Sequence, residues 1–242
     1  MIRLALEADN AQIAAIWNLE AVGTTATTDT EPRSAEAQRA WLAAHNHAYP
    51  ALVAAVGAEV VAFGALAPYR AKPSYARTAE DSVYVKDGWR GKGLGGLILD
   101  ELIDRARCCG HHSMIARIVT DNEASLRLHE RHEFVRVGHE RQVAFKLGRW
   151  LDVLTLQRTA LRRGHRGSAT IHSERDEAPG GFGGPSRGPP RRRLSACPPT
   201  RGCRPPSARS VTATFAYFFR ASSSRSSARG CSPSRRLGWC SS

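Results

Sequence analysis

The sequence predicts one mixed α/β domain over residues 1–159, followed by a segment of different composition over residues 160–242. Short runs of β-branched residues alternate with segments whose apolar residues recur every three or four positions, which indicates strands mixed with amphipathic helices. Charge gives the same boundary. Residues 1–159 hold 19 Lys and Arg against 19 Asp and Glu, so the whole net charge of +13 lies beyond them. A neutral domain of this length is large enough to bury a core of its own.

Local signals predict the elements in chain order. Asp9 and Gln12 have the spacing of a capping box before a helix, and Thr120 and Glu123 repeat that spacing further along. Gly57 marks a hairpin turn between two apolar runs. The predicted strands are residues 2–6, 51–56, 60–66, 82–85, 115–119, 134–137, 142–147 and 151–157. The predicted helices are residues 10–21, 35–45, 94–109 and 124–131, with a threonine-rich loop at 23–32.

Residues 160–242 contain 16 Arg, no Lys and 3 acidic residues, in runs such as G-G-F-G-G-P-S-R-G-P-P-R-R-R. They lack the apolar periodicity needed to offset chain entropy, so we expect an intrinsically disordered tail. Arginine without lysine is also typical of out-of-frame or read-through translation of a GC-rich gene. An arginine-rich arm that binds nucleic acid is a third interpretation. For the neutral domain itself, no nucleic-acid partner is expected.

The cysteines and the N-terminus favour a reducing, cytoplasmic setting. Met1-Ile2-Arg3 leads into acidic residues rather than into the apolar segment of a signal peptide. The run Cys108-Cys109-Gly110-His111-His112 has no second ligand pair at the spacing that encloses a tetrahedral ion, so no metal site is expected. Gly110 is expected to follow the end of a helix. The apolar run 211–219 is shorter than the about 20 residues of a membrane-spanning helix, so no membrane partner is expected.

The stretch W-R-G-K-G-L-G-G-L, residues 89–97, lies between a predicted strand and the strongest predicted helix. Backbone N–H groups of such a turn and of a helix N-terminus bind phosphate, and Arg90 and Lys92 add positive charge. Gly91-x-Gly93-x-x-Gly96 also matches the dinucleotide-binding fingerprint, with Asp121 near the position of its acidic residue. Five residues separate the predicted strand from Gly91, which argues against a nicotinamide-dependent dehydrogenase but leaves this alternative open.

Arg90-Gly91-Lys92-Gly93-Leu94-Gly95 resembles the R/Q-x-x-G-x-G/A loop with which GNAT (Gcn5-related) N-acetyltransferases hold the pyrophosphate of coenzyme A. Further blocks at residues 78–85, 121–130 and 145–152 resemble the phosphinothricin/methionine sulfoximine acetyltransferase branch. This resemblance covers residues 2–158. It implies the GNAT fold, a central, mostly antiparallel twisted sheet flanked by helices. It also implies acetyl-CoA as cosubstrate without a metal, a small amine as acceptor, and a homodimer.

The resemblance also implies roles for individual residues. Glu80 matches the family's proposed catalytic glutamate, which takes a proton from the amine. His129 matches a histidine near the active site, for which a direct catalytic role and a structural role both stay open. Backbone N–H groups of Val83, Tyr84 and Val85 are the expected donors to the thioester oxygen. The expected cofactor-binding residues further include Arg90, Gly91, Lys92, Gly93, Leu94, Gly95, Gly96, Asn122 and Ser125.

The acceptor pocket implied by the resemblance contains Arg70, Lys72, Tyr75 and Thr27. Its basic residues would meet a carboxylate or a phosphinate. The sequence departs from the branch at three positions, because Lys72 replaces an arginine, Thr28 an aromatic residue and Glu133 a glycine. The glycine normally adopts a left-handed conformation between helix and strand, so Glu133 is expected to cost about 1 kcal/mol or more there.

These observations predict an N-acetyltransferase that acts on a small amino acid or analogue of the phosphinothricin or methionine sulfoximine type. One alternative is acetylation of another small amine or of a protein N-terminus. Others are the nicotinamide-dependent dehydrogenase, a nucleic-acid-binding protein acting through its tail, and an inactive product whose tail disturbs folding.

Overall fold

In the computed structural model, which describes residues 1–159, seven strands form one sheet with helices packed on both faces. The strands are β1 (Ile2–Leu4), β2 (Ala51–Val56), β3 (Glu59–Pro68), β4 (Thr78–Val85), β5 (Ser113–Val119), β6 (Val135–Lys146) and β7 (Arg149–Thr159). The helices are α1 (Asn10–Gly23), α2 (Ala35–Ala44), α3 (Leu94–Cys108) and α4 (Glu123–Arg131), with 3₁₀ turns at Glu7–Asp9 and Pro73–Tyr75. The expectations for the segment 160–242 lie outside the described residues.

The sheet has the order β1-β2-β3-β4-β5-β7-β6, and β4 with β5 is its one parallel pair within the described chain. The predicted mixed α/β fold with a mostly antiparallel sheet is therefore confirmed. Strand β4 pairs with β3 from Ala79 to Val85, but with β5 only from Thr78 to Glu80. Beyond Glu80 the two central strands diverge, and a wedge opens between them.

Two apolar cores cover the two faces of the sheet. On one face, Ile98 and Leu102 of α3 pack over the central strands, and on the other face Trp17 of α1 and Trp41 of α2 pack over Phe63. Gly64 lets α3 lie close to the sheet, because a Cβ at this position would lie 2.5 Å from Ile98 Cγ2. This close packing fixes the helix that follows the glycine loop.

Several predicted strand boundaries are wrong, and two of the differences are large. Strand β4 begins at Thr78 instead of residue 82, so Glu80 lies within the strand. The predicted strands 134–137 and 142–147 are one strand, β6, whose polar middle was expected to be a break. Register shifts keep this strand paired with β7, with Gln142 at φ 48° and its N–H donating to Asp152 Oδ1 at 2.8 Å.

Both predicted capping boxes are wrong as well: Asp9 precedes α1 without a side-chain cap hydrogen bond, and Asn122 rather than Thr120 is the N-cap of α4. The Asp9 carboxylate accepts from Arg3 at 2.6 Å and from the Leu6 N–H at 2.7 Å. Helix α4 is capped by Asn122, whose Oδ1 accepts from the Ser125 N–H at 3.2 Å. Two other local expectations are confirmed, since Gly110 follows the end of α3 at φ 78° and Glu133 has φ 65°.

Candidate active site

Glu80 lies at the mouth of the wedge, at the last residue of β4 that pairs with β5. Its side chain is half-buried. Burial raises the pKa of Glu80 to about 7, although the positive charges of Arg117 and Arg70 act in the opposite direction. A carboxyl group with this pKa gains and loses a proton near neutral pH, as a general base must.

Charged and aromatic side chains surround Glu80 on its face of the sheet. Arg117 of β5 donates to Glu140 Oε2 of β6 at 2.7 Å, and the charge of Glu140 acts on both Glu80 and Arg70. The guanidinium carbon of Arg70 lies 4.9 Å from the ring centroid of Tyr69 and 5.8 Å from that of Tyr75. The structure therefore brings the predicted acceptor residue Arg70 within electrostatic range of Glu80, with Tyr75 beside Arg70. Lys72 is exposed on the same loop.

The threonine-rich loop between α1 and α2 is held by a buried lysine. Lys146 of β6 donates from Nζ to the carbonyl of Thr27 at 2.7 Å and to the carbonyl of Glu20 at 3.2 Å. Burial lowers the pKa of this lysine, while the charges of Asp29 and Glu20 raise it. Thr27 is buried and donates from Oγ1 to Asp29 Oδ2 at 2.8 Å. The loop is thus fixed at Thr27 by the far edge of the sheet.

Asp81 and His129 form a buried pair on the opposite face, since neighbouring residues of a strand alternate between faces. His129 Nε2 lies 2.9 Å from Asp81 Oδ2, and His129 Nδ1 donates to the Ser125 carbonyl at 2.8 Å. Burial lowers the pKa of His129, but the charge and hydrogen bond of Asp81 raise it further, so the pKa lies above its ordinary value. His129 is 3% exposed. Both of its nitrogens are engaged, and it is separated from Glu80 by the sheet.

The glycine loop has the geometry of an anion cradle. Gly91 and Gly93 adopt φ of 76° and 80°, and Gly93 is the N-cap of α3. The first intrahelical bond of α3 runs from the Leu97 N–H to the Gly93 carbonyl at 3.2 Å, which leaves the preceding amides pointing out of the helix. A Cβ at Gly91 or Gly93 would meet no described protein atom within 4 Å, so the space over the loop is open.

The two basic residues of this loop have protein partners. Arg90 forms an ion pair with the buried Glu20 at the end of α1, and its Nε donates to the Val85 carbonyl at 3.4 Å. Glu20 also accepts from Thr24 Oγ1 at 2.7 Å. Lys92 Nζ lies 4.5 Å from the ring centroid of Trp89. Arg90 therefore links the glycine loop to the threonine-rich loop.

Among the remaining predicted cofactor residues, Gly95 lies beside the diverging part of β4. Gly95 sits at the start of α3, where a Cβ would lie 3.3 Å from Leu128 Cδ2 and 3.7 Å from Val85 Cγ2. The ring of Tyr84 packs 5.0 Å from that of Phe63, so its side chain faces the core of α1 and α2. Because the Tyr84 ring is turned away, β4 offers backbone groups rather than this side chain to a ligand in the wedge. Asn122 caps α4 through its side-chain oxygen.

Other features lie apart from this site. A cavity of about 640 Å³ is lined by β1, α2 and the end of α3, including Leu6, Leu42 and Pro50, and it contains none of the residues predicted for acetyl transfer. Within residues 1–159, no three His, Cys, Asp or Glu side chains are grouped to hold a metal ion. None of the helices that the structure describes is long and apolar enough to cross a membrane.

Comparison with known proteins decides the family. Residues 13–134 match the acetyltransferase (GNAT) family. The chain belongs to this family. An L-amino acid N-acyltransferase of Escherichia coli is 40% identical over 157 residues, which are 64% of this chain and 91% of that protein. An L-methionine sulfoximine/L-methionine sulfone acetyltransferase of Pseudomonas paraeruginosa is 43% identical over 159 residues, covering 64% and 92% of the two chains.

A solved GNAT phosphinothricin acetyltransferase of Sinorhizobium meliloti, in complex with acetyl-CoA, superposes with a TM-score of 0.62 at 30% identity. The match covers 72% of this chain and 93% of that one. The protein is thus a GNAT N-acetyltransferase like those of the phosphinothricin/methionine sulfoximine branch. The alternative of a nicotinamide-dependent dehydrogenase is wrong. Asp121, its expected acidic residue, is paired with Arg149 instead.

Several charged residues near Glu80 and the glycine loop were not predicted from the sequence. Arg117, Glu140 and Glu20 come from three elements that the sequence separates widely, and no local motif joins them. Arg117 could have been noticed in the sequence, because it is the one charged residue in the mainly apolar strand S-M-I-A-R-I-V. Lys146 lies within the block at residues 145–152, and a lysine between two large apolar residues, Phe145 and Leu147, also stands out in the sequence.

Proposed function

We propose that this acetyltransferase passes the acetyl group of acetyl-CoA to the α-amine of a small amino acid or analogue, of the phosphinothricin or methionine sulfoximine type. The observation that carries the proposal is Glu80, a carboxyl group with a pKa of about 7 at the mouth of the wedge. Arg117 and Arg70 beside it suit an acceptor that is itself an anion. The named activities of the relatives in Escherichia coli and Pseudomonas support the same acceptor class.

Acetyl-CoA supplies a thioester carbonyl carbon to which the amine adds, with loss of the CoA thiolate. Glu80 takes the proton that the amine gives up. Backbone N–H groups of Val83, Tyr84 and Val85 donate to the carbonyl oxygen, because β5 no longer pairs with this part of β4. Arg70, Lys72, Tyr75 and Thr27 line the acceptor side.

The open glycine loop fits a pyrophosphate. The helix N-terminus and the amides from Gly91 to Gly96 provide N–H donors and a positive dipole. Arg90 and Lys92 add charge, and Leu94 begins the helix whose N-terminus faces the anion. In this proposal Asn122 and Ser125, at the start of α4, lie along the pantetheine arm.

We assign His129 a positioning role without direct contact with the acceptor. Its burial and its two hydrogen bonds to Asp81 and Ser125 hold α4 against β4. A histidine whose nitrogens are both engaged is not available to exchange a proton with an amine on the other face of the sheet.

The proposal is tested with the full chain by following release of free thiol from acetyl-CoA. The acceptors are L-methionine sulfone, L-methionine sulfoximine, L-phosphinothricin, a simple alkylamine and a peptide with a free N-terminus. We expect turnover of the amino-acid analogues. Turnover of only the alkylamine or the peptide would contradict the proposed acceptor class. We also propose that the enzyme acts in the cytoplasm.

Gly93→Ala is expected to raise the KM for acetyl-CoA by about 10- to 100-fold, since a hydrogen bond to a charged group contributes about 1.5–3 kcal/mol. The added methyl group would occupy the open space over the N-terminus of α3. Gly88→Ala is the matched control, because Gly88 also has positive φ (77°) and open space around it but lies before the loop. Both variants bear a left-handed strain of about 1–2 kcal/mol. Equal KM values for the two variants would contradict the placement of the pyrophosphate.

We further propose that the enzyme is a homodimer paired through the β6–β7 hairpin. Strand β6 is an edge of the sheet, and Val143, Phe145 and Trp150 are 49–59% exposed on this hairpin. An edge strand with exposed apolar side chains favours pairing with another chain. The mass in solution should be that of a dimer, and Phe145→Asp with Trp150→Asp should shift it to the monomer. Val56→Asp, an exposed position on another hairpin, is the control. A monomeric wild type would contradict this pairing.

A further inference from the structure

Arg117 is the one charged residue of β5, and it alone among the seven residues of that strand is exposed. In the parallel register of β4 and β5, Ile115 lies opposite Glu80. Side chains two residues apart share a face of a sheet. Arg117 therefore lies on the face of Glu80, just past the point where the two strands diverge.

The present partner of Arg117 is weakly held. Arg117 and Glu140 are joined at 2.7 Å, but their side chains are 44% and 42% exposed. Exposed ion pairs of this kind contribute about 0–1 kcal/mol to stability. A carboxylate that enters the site is therefore able to replace Glu140 at little cost. The pair is better explained as a resting arrangement than as a structural requirement.

The spacing between Arg117 and Glu80 suits an α-amino acid. Neighbouring strands lie about 4.8 Å apart and two residues span about 6.6 Å along a strand, which places the two Cα atoms at least about 8 Å apart, since the strands diverge beyond Glu80. The α-amine and α-carboxylate of an amino acid are joined through one carbon, so both fit between these two side chains. The planar guanidinium of arginine binds a carboxylate through two parallel hydrogen bonds.

Arg70 lies on a different side of the site. It is carried by the loop between β3 and β4 and stacks beside Tyr69 and Tyr75. Arg117 is instead fixed on a central strand. The two cations are thus placed for two different parts of one acceptor, with Arg70 toward the end of its side chain.

We infer that Arg117 determines specificity for α-amino acids by binding the α-carboxylate of the acceptor, which displaces Glu140. This inference rests on the proposed function, in which Glu80 takes the proton of the α-amine. It assigns the preference for amino acids over simple amines to a residue of the sheet rather than to the loop that carries Arg70.

The test compares two acceptors, L-methionine sulfone and its α-carboxamide, with wild type and Arg117→Met. We expect the variant to raise the KM for the amino acid by about 10- to 100-fold and to leave the KM for the carboxamide unchanged. Arg117→Lys keeps the charge without the planar fork, and should raise the amino-acid KM by a smaller factor. Glu140→Gln should lower it, because a competing carboxylate is removed.

Arg136→Met is the matched control, since Arg136 forms a similar exposed ion pair with Glu130 away from Glu80. The KM for acetyl-CoA shows that each variant is folded, and it should not change. Equal KM changes for both acceptors would overturn the inference and indicate a structural role, as would an unchanged amino-acid KM. If the wild type turns over simple amines but no amino acid, the proposed function fails, and the inference fails with it.

Discussion

Replacing Glu80 by glutamine is expected to lower kcat by about 100- to 10,000-fold, the range that a positioned general base contributes. Glutamine keeps the size of the side chain but accepts no proton at neutral pH. The KM for acetyl-CoA should not change, because its proposed contacts lie on the glycine loop. Steady-state release of free thiol, with L-methionine sulfone as the acceptor, measures both quantities.

The pH dependence of activity is a second measurement that tests Glu80 as the general base. The pKa of Glu80 is about 7, and the carboxylate is the basic form, so wild-type activity should rise as the pH increases through about 7. Glu80→Gln should lose this dependence. Glu130→Gln is the control, because Glu130 is exposed and paired with Arg136. Full activity of Glu80→Gln, with the wild-type pH profile, would show that another group takes the proton.

Replacing His129 by alanine is expected to lower the free energy of unfolding by about 3–5 kcal/mol, because it leaves the buried Asp81 carboxylate without its partner. Asp81 Oδ1 already makes no hydrogen bond within the described part of the chain. Urea unfolding of the full chain measures the loss.

The pKa of His129 is raised in the folded protein. Its stabilising contribution is therefore fully present below its unfolded pKa of about 6.5, and is lost as the pH rises through the folded value.

A double variant separates the positioning role of His129 from a catalytic one. Asp81→Val with His129→Leu replaces the ion pair by apolar groups, a change that is often neutral or stabilising. If His129 only holds α4 against β4, the double variant should recover most of the stability and of kcat. A folded double variant that stays inactive would instead assign His129 to the chemistry.

The sequence was most informative where a few neighbouring residues decide the conformation. Gly91 and Gly93 were expected to form a tight anion-binding turn, and both adopt the left-handed region that favours glycine. Glu133 was expected to adopt that region at a cost, and it does, at φ 65°. Amphipathic periodicity likewise gave the start of α3 at Leu94. Each of these features depends on contacts within one or two turns of the chain.

Sequence patterns failed where another residue competes for a side chain, or where strand pairing overrides local polarity. Asp9 was expected to cap α1, but Arg3 and the Leu6 amide take its carboxylate. The polar middle of β6 was read as a break, yet pairing with β7 carries the strand through it. A spacing rule does not report such competition, because it considers only the residues of its own pattern.

The sequence by itself determined the family and the glycine loop, and it singled out Glu80 as the proposed general base. Only the tertiary structure decided what surrounds that carboxylate. It set the pKa of Glu80 near 7 and placed Arg117 on the same face, while Asp81 and His129, 48 residues apart, meet on the other. The reason is that a pKa and an ion pair depend on burial and on distances through space. The divergence of β4 from β5 begins at Glu80, where these effects meet.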